Sequence, residues 1–258
     1  MRNADKTTEW HGLWGGRILR FEALESTNTW ALAHLAELAQ GDVVWALDQT
    51  AGRGRFDRAW IASPGKCLTV STILIGAQWV ALAPNVGQAA AWGVQRTLAA
   101  FDVSARLKWP NDVMVGNHKI AGILVERGAA ANAFVLGIGL NVNLAAADLR
   151  LAALDRMATS MSMAARRRFR VEAVLARLLG ELQGTLDTVC RDGLAPVLNA
   201  WALSDWLAGH EVEIQGAEAT LRGRYEGLDA AGRLRLTGAD GTEHLLWTGD
   251  VARVRSVR

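Results

Sequence analysis

The sequence predicts an α+β fold, a mixed β-sheet with helices over residues 1–208, followed by a small SH3-like β-barrel over 209–258. Three observations carry this. Apolar residues recur at helical spacing in 28–40, 84–101 and 171–189. Short β-branched apolar runs bounded by turn residues stand between them. After Gly209 the pattern changes to five short alternating runs separated by glycine-containing turns.

In the first helix, over 28–40, Trp30, Leu32, Leu35, Leu38 and Ala39 form the apolar stripe, and the Ser26-Thr27-Asn28 cluster caps the start. Strands follow at 43–47 and 68–75, with a segment between them too polar and too glycine-rich for either regular element. The helix at 84–101 places Pro84 in its first turn, where the missing N–H costs nothing. Strands at 112–115, 120–126 and 133–142 come next, the first two joined by a tight turn at Gly116-Asn117. Helices at 171–189 and 194–207 meet through Arg191-Asp192-Gly193. The terminal module takes strands at 211–214, 220–228, 233–237, 244–247 and 251–254.

A chain of 258 residues is one large domain or a medium and a small one. The formal charge is +2, from 24 Arg and 4 Lys against 26 acidic residues, which gives no reason to expect a nucleic-acid-coating surface. The basic run 166–170 reads as a solvated helix entry. Cys67 and Cys190 lack Cys-x-x-Cys spacing and read as buried thiols, and the five His residues make no metal pair. There is no membrane span and no secretory signal in the sequence, so the expected location is cytoplasmic.

Three segments carry candidate chemistry. The first runs from Gln49 through Gly52-Arg53-Gly54-Arg55-Phe56-Asp57-Arg58: glycines let the backbone approach a ligand, and forked guanidinium donors match phosphate or carboxylate oxygens. A mobile Arg-Gly hairpin is the equally simple alternative. No P-loop occurs, and Gly52-x-Gly54-x-x-Asp57 lacks the third glycine of a dinucleotide fingerprint. The second segment is Lys108-Trp109-Pro110-Asn111-Asp112, followed by Lys119-Ile120-Ala121-Gly122-Ile123-Leu124-Val125-Glu126. Lys119 opens an apolar strand, where a cation is out of place unless it faces a site or ends the strand in solvent. Asn111 and Asp112 orient a magnesium-bound nucleotide or form an Asx-turn. The third segment, Gly137-Ile138-Gly139-Leu140-Asn141-Val142-Asn143, leaves room for a ligand against the backbone or ends a strand in a turn.

Taken in order, Glu25-Ser26-Thr27-Asn28, Gln49 with Ala51-Gly52-Arg53-Gly54-Arg55, the Lys108 and Lys119 segments, and Gly137-x-Gly139-x-Asn141-x-Asn143 resemble the biotin protein ligases, the biotin–[acetyl-CoA-carboxylase] ligases. The resemblance implies an enzyme that uses ATP and Mg as co-substrates to convert biotin to biotinyl-5′-AMP. It then transfers the biotinyl group to one lysine of a biotin carboxyl carrier protein, with no tightly bound cofactor. By the same resemblance Ser26, Thr27, Asn28, Gln49, Arg53, Gly54, Arg55, Lys119 and Gly122 bind biotin. Arg53, Arg55, Arg58, Trp60, Asn111, Lys119 and Asn141 bind nucleotide, and Lys119, Arg53 and Arg55 are catalytic. Asp112 holds magnesium or positions the acceptor amine, and Trp60 and Trp109 flank a ligand or pack in the core. About 25 residues precede Ser26, so the shorter type is expected, without a DNA-binding domain, with no DNA or membrane partner, as a monomer or homodimer.

The family loop commonly reads Gly-Arg-Gly-Arg-Arg-Gly-Arg, whereas this chain has Phe56-Asp57 in place of Arg-Gly, a change expected to stiffen the loop. Arg222, Arg224, Arg253 and Arg255 of the terminal module either contact ligand or carrier, or face solvent. Two rival readings stand. A lipoate protein ligase would load lipoate onto an apo-carrier, and a non-catalytic anion- or nucleic-acid-binding module would release no pyrophosphate and bind RNA in a salt-sensitive way.

Overall fold

The computed structural model describes residues 11–154, 157–216 and 219–256, except for the side chains of Asp57, Arg253, Arg255 and Ser256. The expectations placed on Asp57, Arg253 and Arg255 therefore lie outside the described residues. The larger sheet contains β1 (Ile18–Phe21), β2 (Val43–Ala46), β3 (Cys67–Ile75), β4 (Arg106–Lys108), β5 (Asp112–Val115), β6 (His118–Arg127) and β7 (Ala133–Asn141). Their spatial order is β1-β2-β3-β7-β6-β5-β4, and the sheet is mixed because β1 and β2 are parallel while the other pairs are antiparallel.

One face of this sheet is covered by α3 (Val86–Ala99) and α6 (Val171–Asp192). On α6, Val171, Val174, Leu175, Leu178, Leu179, Leu182, Leu186 and Val189 are buried at three- and four-residue spacing, each fully buried Leu contributing about 2 kcal/mol. The two helices cross closely at Gly93, where an added Cβ would lie 3.0 Å from Thr185 Oγ1 and 3.2 Å from Leu182 Cα. On the other face α1 (Thr27–Ala33) covers only the β2–β3–β7 region, burying Ala31 against Val44, Ile73 and Val135. At the Cys67 end of the same face Leu144, Leu149 and Leu154 pack over the sheet, and a cleft lies between these two covers.

Element boundaries differ from the sequence expectation in two instructive places. The first helix starts one residue earlier, at Thr27, with the Ser26 hydroxyl accepting from Thr29 N–H at 3.4 Å. It stops after two turns at His34, not at Gln40, and continues as a single 3₁₀ turn over Leu35–Glu37. The His34 ring stacks on Trp30 at 4.1 Å, and the buried Asp42 carboxylate takes the Ala39 and Arg17 N–H groups, turning the chain into β2. Pro84 is not in a first turn: it lies between α2 (Ala77–Leu82) and α3, because the Asn85 amide bonds Gln88 Oε1 and the Ala231 carbonyl, both at 2.9 Å, and α3 starts after it.

Two short helices, α4 (Ala146–Leu151) and α5 (Met161–Ala165), lead into α6, and α7 (Ala195–Ser204) follows it. The terminal residues form the expected five strands, β8 (His210–Gln215), β9 (Thr220–Leu228), β10 (Leu234–Thr237), β11 (Glu243–Leu246) and β12 (Asp250–Ser256). They make an open antiparallel sheet of order β11-β10-β9-β8-β12 and not a closed barrel, since β11 and β12 form its two edges among the described residues. Val212, Ile214, Tyr225, Leu234, Leu236 and Val251 belong to the same apolar cluster as the large sheet, so the core is continuous across residue 208. Arg222 and Arg224 pair with Glu213 at 2.8 Å and Glu226 at 2.5 Å, as outward-facing strand residues do.

At that junction Tyr225 donates its hydroxyl to Asp205 Oδ2 at 2.5 Å, and burial holds the Asp205 carboxyl above the usual range. Tyr225→Phe leaves this carboxylate short of a donor and is expected to cost about 1–3 kcal/mol near neutral pH. A raised folded-state pKa means that Asp205 stabilises the fold most when protonated, and that this contribution is lost as pH rises through the folded value. The penalty of the substitution should therefore shrink in acid. Urea midpoints of the two proteins at neutral and acid pH measure it, and a pH-independent difference would contradict this role.

Candidate active site

The open face of the large sheet is cleared by glycine. Gly139 on β7 pairs with Gly122 on β6 and Thr69 on β3, and the next row on that face pairs Gly137 with Leu124 and Ser71. With no Cβ at these points, a cleft of about 1300 Å³, open to solvent, lies over the strands.

One end of the cleft is a polar network built from the start of α1. Gln49 Oε1 accepts from Thr27 N–H at 2.8 Å and Thr27 Oγ1 at 3.1 Å. The buried Ser71 hydroxyl lies 2.7 Å from Thr27 Oγ1 and 2.5 Å from Asn28 Oδ1. Asn28 Nδ2 donates to Leu124 O at 3.3 Å and Glu126 Oε2 at 2.8 Å. Asn28 sits where a Gly137 side chain would begin: an added Cβ would come within 2.3 Å of its Oδ1. Ser26, Thr27 and Asn28 are all buried.

The segment after β2 is a small hairpin. Arg53 and Ala59 form a bridge, Gly54 N–H donates to Arg58 O at 2.7 Å, and Trp60 N–H donates to Gly52 O at 2.8 Å. A 3₁₀ turn over Arg55–Asp57 closes its tip. The left-handed residue is Phe56 (φ 55°, ψ 40°), not position 57. A bulky residue there costs about 1–3 kcal/mol, and Phe56 is 58% exposed with the Arg55 guanidinium 4.8 Å from its ring centre. Trp60 lies across the sheet glycines, so a Cβ on Gly139 would meet its ring at 2.4 Å, and its buried indole N–H has no partner among the described residues.

The three loop arginines point to different partners. Arg53 Nη2 contacts Glu126 at 2.7 and 3.0 Å, beside Asn28. Arg55 donates to Thr248 Oγ1 at 2.6 Å, Asn111 Oδ1 at 3.3 Å and Gly249 O at 3.4 Å. Its pKa is lowered from the usual guanidinium value, chiefly by burial. Arg58 pairs with Asp250, tying the loop a second time to the terminal sheet.

At the other end Lys119 Nζ pairs with Asp112 Oδ1 at 2.6 Å and lies 5.7 Å from the Trp60 ring centre. Backbone bonds to Met157 O at 2.8 Å and from Thr159 N–H at 2.9 Å fix the strand start that carries it. Asn111 donates its amide to Ile123 O and receives Arg55. Lys108, 5.3 Å from the Trp206 ring centre, lines the same end, its pKa lowered chiefly by burial. Asn141 donates to Thr159 O at 2.9 Å and is held by protein, although it lines the cleft. Trp109 is 1% exposed and a member of the main core.

All fourteen sequence-selected residues line this cleft. Ser71, Thr248 and Asp250 were not singled out in the sequence, and Lys108 and Glu126 stood in a candidate segment without an assigned role. Ser71 had a signal, a hydroxyl inside an apolar strand, and Lys108 another, as one of four lysines. Glu126, Thr248 and Asp250 act through partners 73 to 194 residues away, which no local pattern reveals. Cys67 is buried, its thiol pushed up to about 11 chiefly by burial, while Cys190 is exposed, contrary to the expectation of two buried thiols. Among the described residues no group of three or more His, Cys, Asp or Glu is placed to hold a metal, and no helix is long and apolar enough to cross a membrane.

The chain matches the model of the biotin/lipoate A/B protein ligase family over residues 20–143 and belongs to that family. Within it, the similarity runs to biotin-specific members. The chain is 32% identical over 234 residues to the biotin–[acetyl-CoA-carboxylase] ligase of Paracoccus denitrificans, covering 85% of this chain and 93% of the relative. It is 32% identical over 228 residues to the bifunctional ligase/repressor BirA of Escherichia coli strain K12, covering 86% of this chain and 70% of the relative. In fold it matches the biotin protein ligase from Aquifex aeolicus in complex with biotin and ATP, with a TM-score of 0.81 at 22% identity, over 93% of this chain and 99% of the other.

Proposed function

We propose that the protein is an ATP-dependent biotin ligase that forms biotinyl-5′-AMP and passes the biotinyl group to a lysine of a biotin carboxyl carrier protein. One observation carries this: a single cleft places the Ser26-Thr27-Asn28-Gln49 network at one end and the Lys119–Asp112 pair at the other, with Trp60 between them. A ureido ring presents donors and acceptors together, which a pocket of hydroxyls and amides in apolar surroundings can match. The unpartnered Trp60 N–H adds a donor beside the floor.

In the first step a biotin carboxylate oxygen attacks the α-phosphorus of ATP and pyrophosphate leaves. Two anions must approach, and fixed cations lower that barrier. Lys119 bridges carboxylate and α-phosphate, and Arg55, Arg58 and Lys108 neutralise the remaining phosphate charge. Asn111 positions Arg55, and Asn141 shapes the wall by holding Thr159. Magnesium fits only as an ion carried in on phosphate oxygens with Asp112 as a single carboxylate ligand, the usual mode for that ion, where it would offset phosphate charge. In the second step the acceptor amine attacks the acyl carbon, loses a proton, and AMP leaves. The loop keeps water from the anhydride meanwhile.

Incubation of a purified apo-carrier domain with the protein, ATP and magnesium tests the transfer by intact mass. Biotin should add to one lysine, and addition of lipoate alone would overturn the assignment in favour of the lipoate branch. The glycine floor gives a second test. Gly137→Ala drives a methyl into Asn28, which three partners hold in place. The substitution is expected to raise KM for biotin about tenfold and to cost about 1–3 kcal/mol of stability. An unchanged KM would contradict the placement of biotin against Asn28.

A further inference from the structure

Glu126 takes no part in the chemistry above, yet it stands where three segments of the site meet. Its carboxylate accepts Arg53 Nη2 from the loop at 2.7 and 3.0 Å and Asn28 Nδ2 from the first turn of α1 at 2.8 Å. Asn28 has no freedom to look elsewhere, because Ser71 takes its oxygen and the absence of a Gly137 side chain defines its berth. Arg53 is 41% exposed, and Glu126 is its ion-pair partner. Arg55 and Arg58 anchor the other arm of the hairpin to Thr248, Gly249 and Asp250. The loop is thus pinned at two places, and only the Arg53 pin touches the acid network.

We infer that Glu126 is a positioning residue that joins loop closure to the setting of the acid pocket. The inference rests on the biotin-activating reading of the same cleft. An exposed ion pair by itself contributes little. Here the same carboxylate also satisfies a buried amide donor, so its loss unpins the loop arm and at the same time leaves the Asn28 amide only the longer bond to Leu124 O at 3.3 Å. A loop released at this end admits water and lets the activated acid escape, while the cations at the Lys119 end stay in place. Formation of the adenylate continues and its delivery suffers.

The test compares wild type, Glu126→Gln, Glu126→Ala, Arg53→Ala and the Glu126→Ala/Arg53→Ala double variant, with melting curves to establish folding. The readout is pyrophosphate released per biotinyl group placed on the apo-carrier. Wild type should give a ratio near one, each alanine variant about threefold more, Glu126→Gln an intermediate value, and the double variant no more than the larger single, as for residues acting as a unit. Trypsin cleavage after Arg55 and Arg58 supplies a readout independent of catalysis and should be about fivefold faster in Glu126→Ala than in wild type. Folded variants with the wild-type ratio and cleavage rate would overturn the inference while leaving the activity intact. Additive effects in the double variant would overturn it too. A wild-type protein that releases no pyrophosphate with biotin would overturn the activity reading and the coupling together.

Discussion

Lys119→Ala is expected to reduce biotin-dependent pyrophosphate release by about 10²–10³-fold, the usual effect of removing one preorganised charge from a site of developing negative charge. Lys119 is the cation on the cleft floor, held by Asp112 at 2.6 Å and facing Trp60, and its strand start is locked by two backbone bonds to the 157–159 segment. Its side chain is 35% exposed, so its removal leaves no cavity in the core. The melting temperature should stay within a few degrees of wild type. The loss should fall on kcat, because Ser26, Thr27 and Gln49 still bind the acid at the other end. Lys119→Arg should not restore the rate, since a planar fork cannot replace a compact ammonium between two oxygens. Steady-state kinetics with biotin and ATP varied separately checks this. A rate within about threefold of wild type would remove Lys119 from the chemistry.

Arg55→Gly is expected to slow activation, because it removes one of the cations proposed to neutralise phosphate charge, and above all to spoil retention. Arg55 ties the hairpin to Asn111 on one side and to Thr248 and Gly249, in the turn between β11 and β12, on the other, and glycine removes those bonds while loosening the backbone beside the left-handed Phe56. Free biotinyl-5′-AMP then leaves the cleft and acylates any accessible amine. In a mixture of apo-carrier and excess serum albumin, a blot for biotin should show label on both proteins with the variant and on the carrier alone with wild type. Carrier-only labelling by the variant would exclude Arg55 from retention.

The groups that line the cleft were visible in the sequence because they interrupt patterns. Lys119 stands at the head of an apolar strand, Gly137 and Gly139 leave side chains out of another, and the 52–58 segment is too glycine-rich to be helix or strand. The caps and strands with strong local signals, Ser26 before α1 and the β-branched runs of β2, β3, β6 and β7, also fell close to where they were expected. What stayed hidden depends on distant partners. β1 and β4 have four and three residues, too few for a periodicity, and exist because β2 and β5 supply their hydrogen bonds. The end of α1 at His34 follows from the buried Asp42 carboxylate and a ring stack, not from propensity. The open edges of the terminal sheet follow from which strands pair across it, which no local pattern shows. Arg53 was expected to bind biotin and nucleotide, and the partner that holds it here, Glu126, is 73 residues away, beyond any local pattern.

Pyrophosphate release by the purified protein with ATP and magnesium, measured with biotin, with lipoate and with no acid, is the most direct measurement of the proposed activity. The expected result is release that requires biotin and collapses in Lys119→Ala. Release with lipoate alone, or at the same rate with no acid, would contradict biotin activation in this cleft.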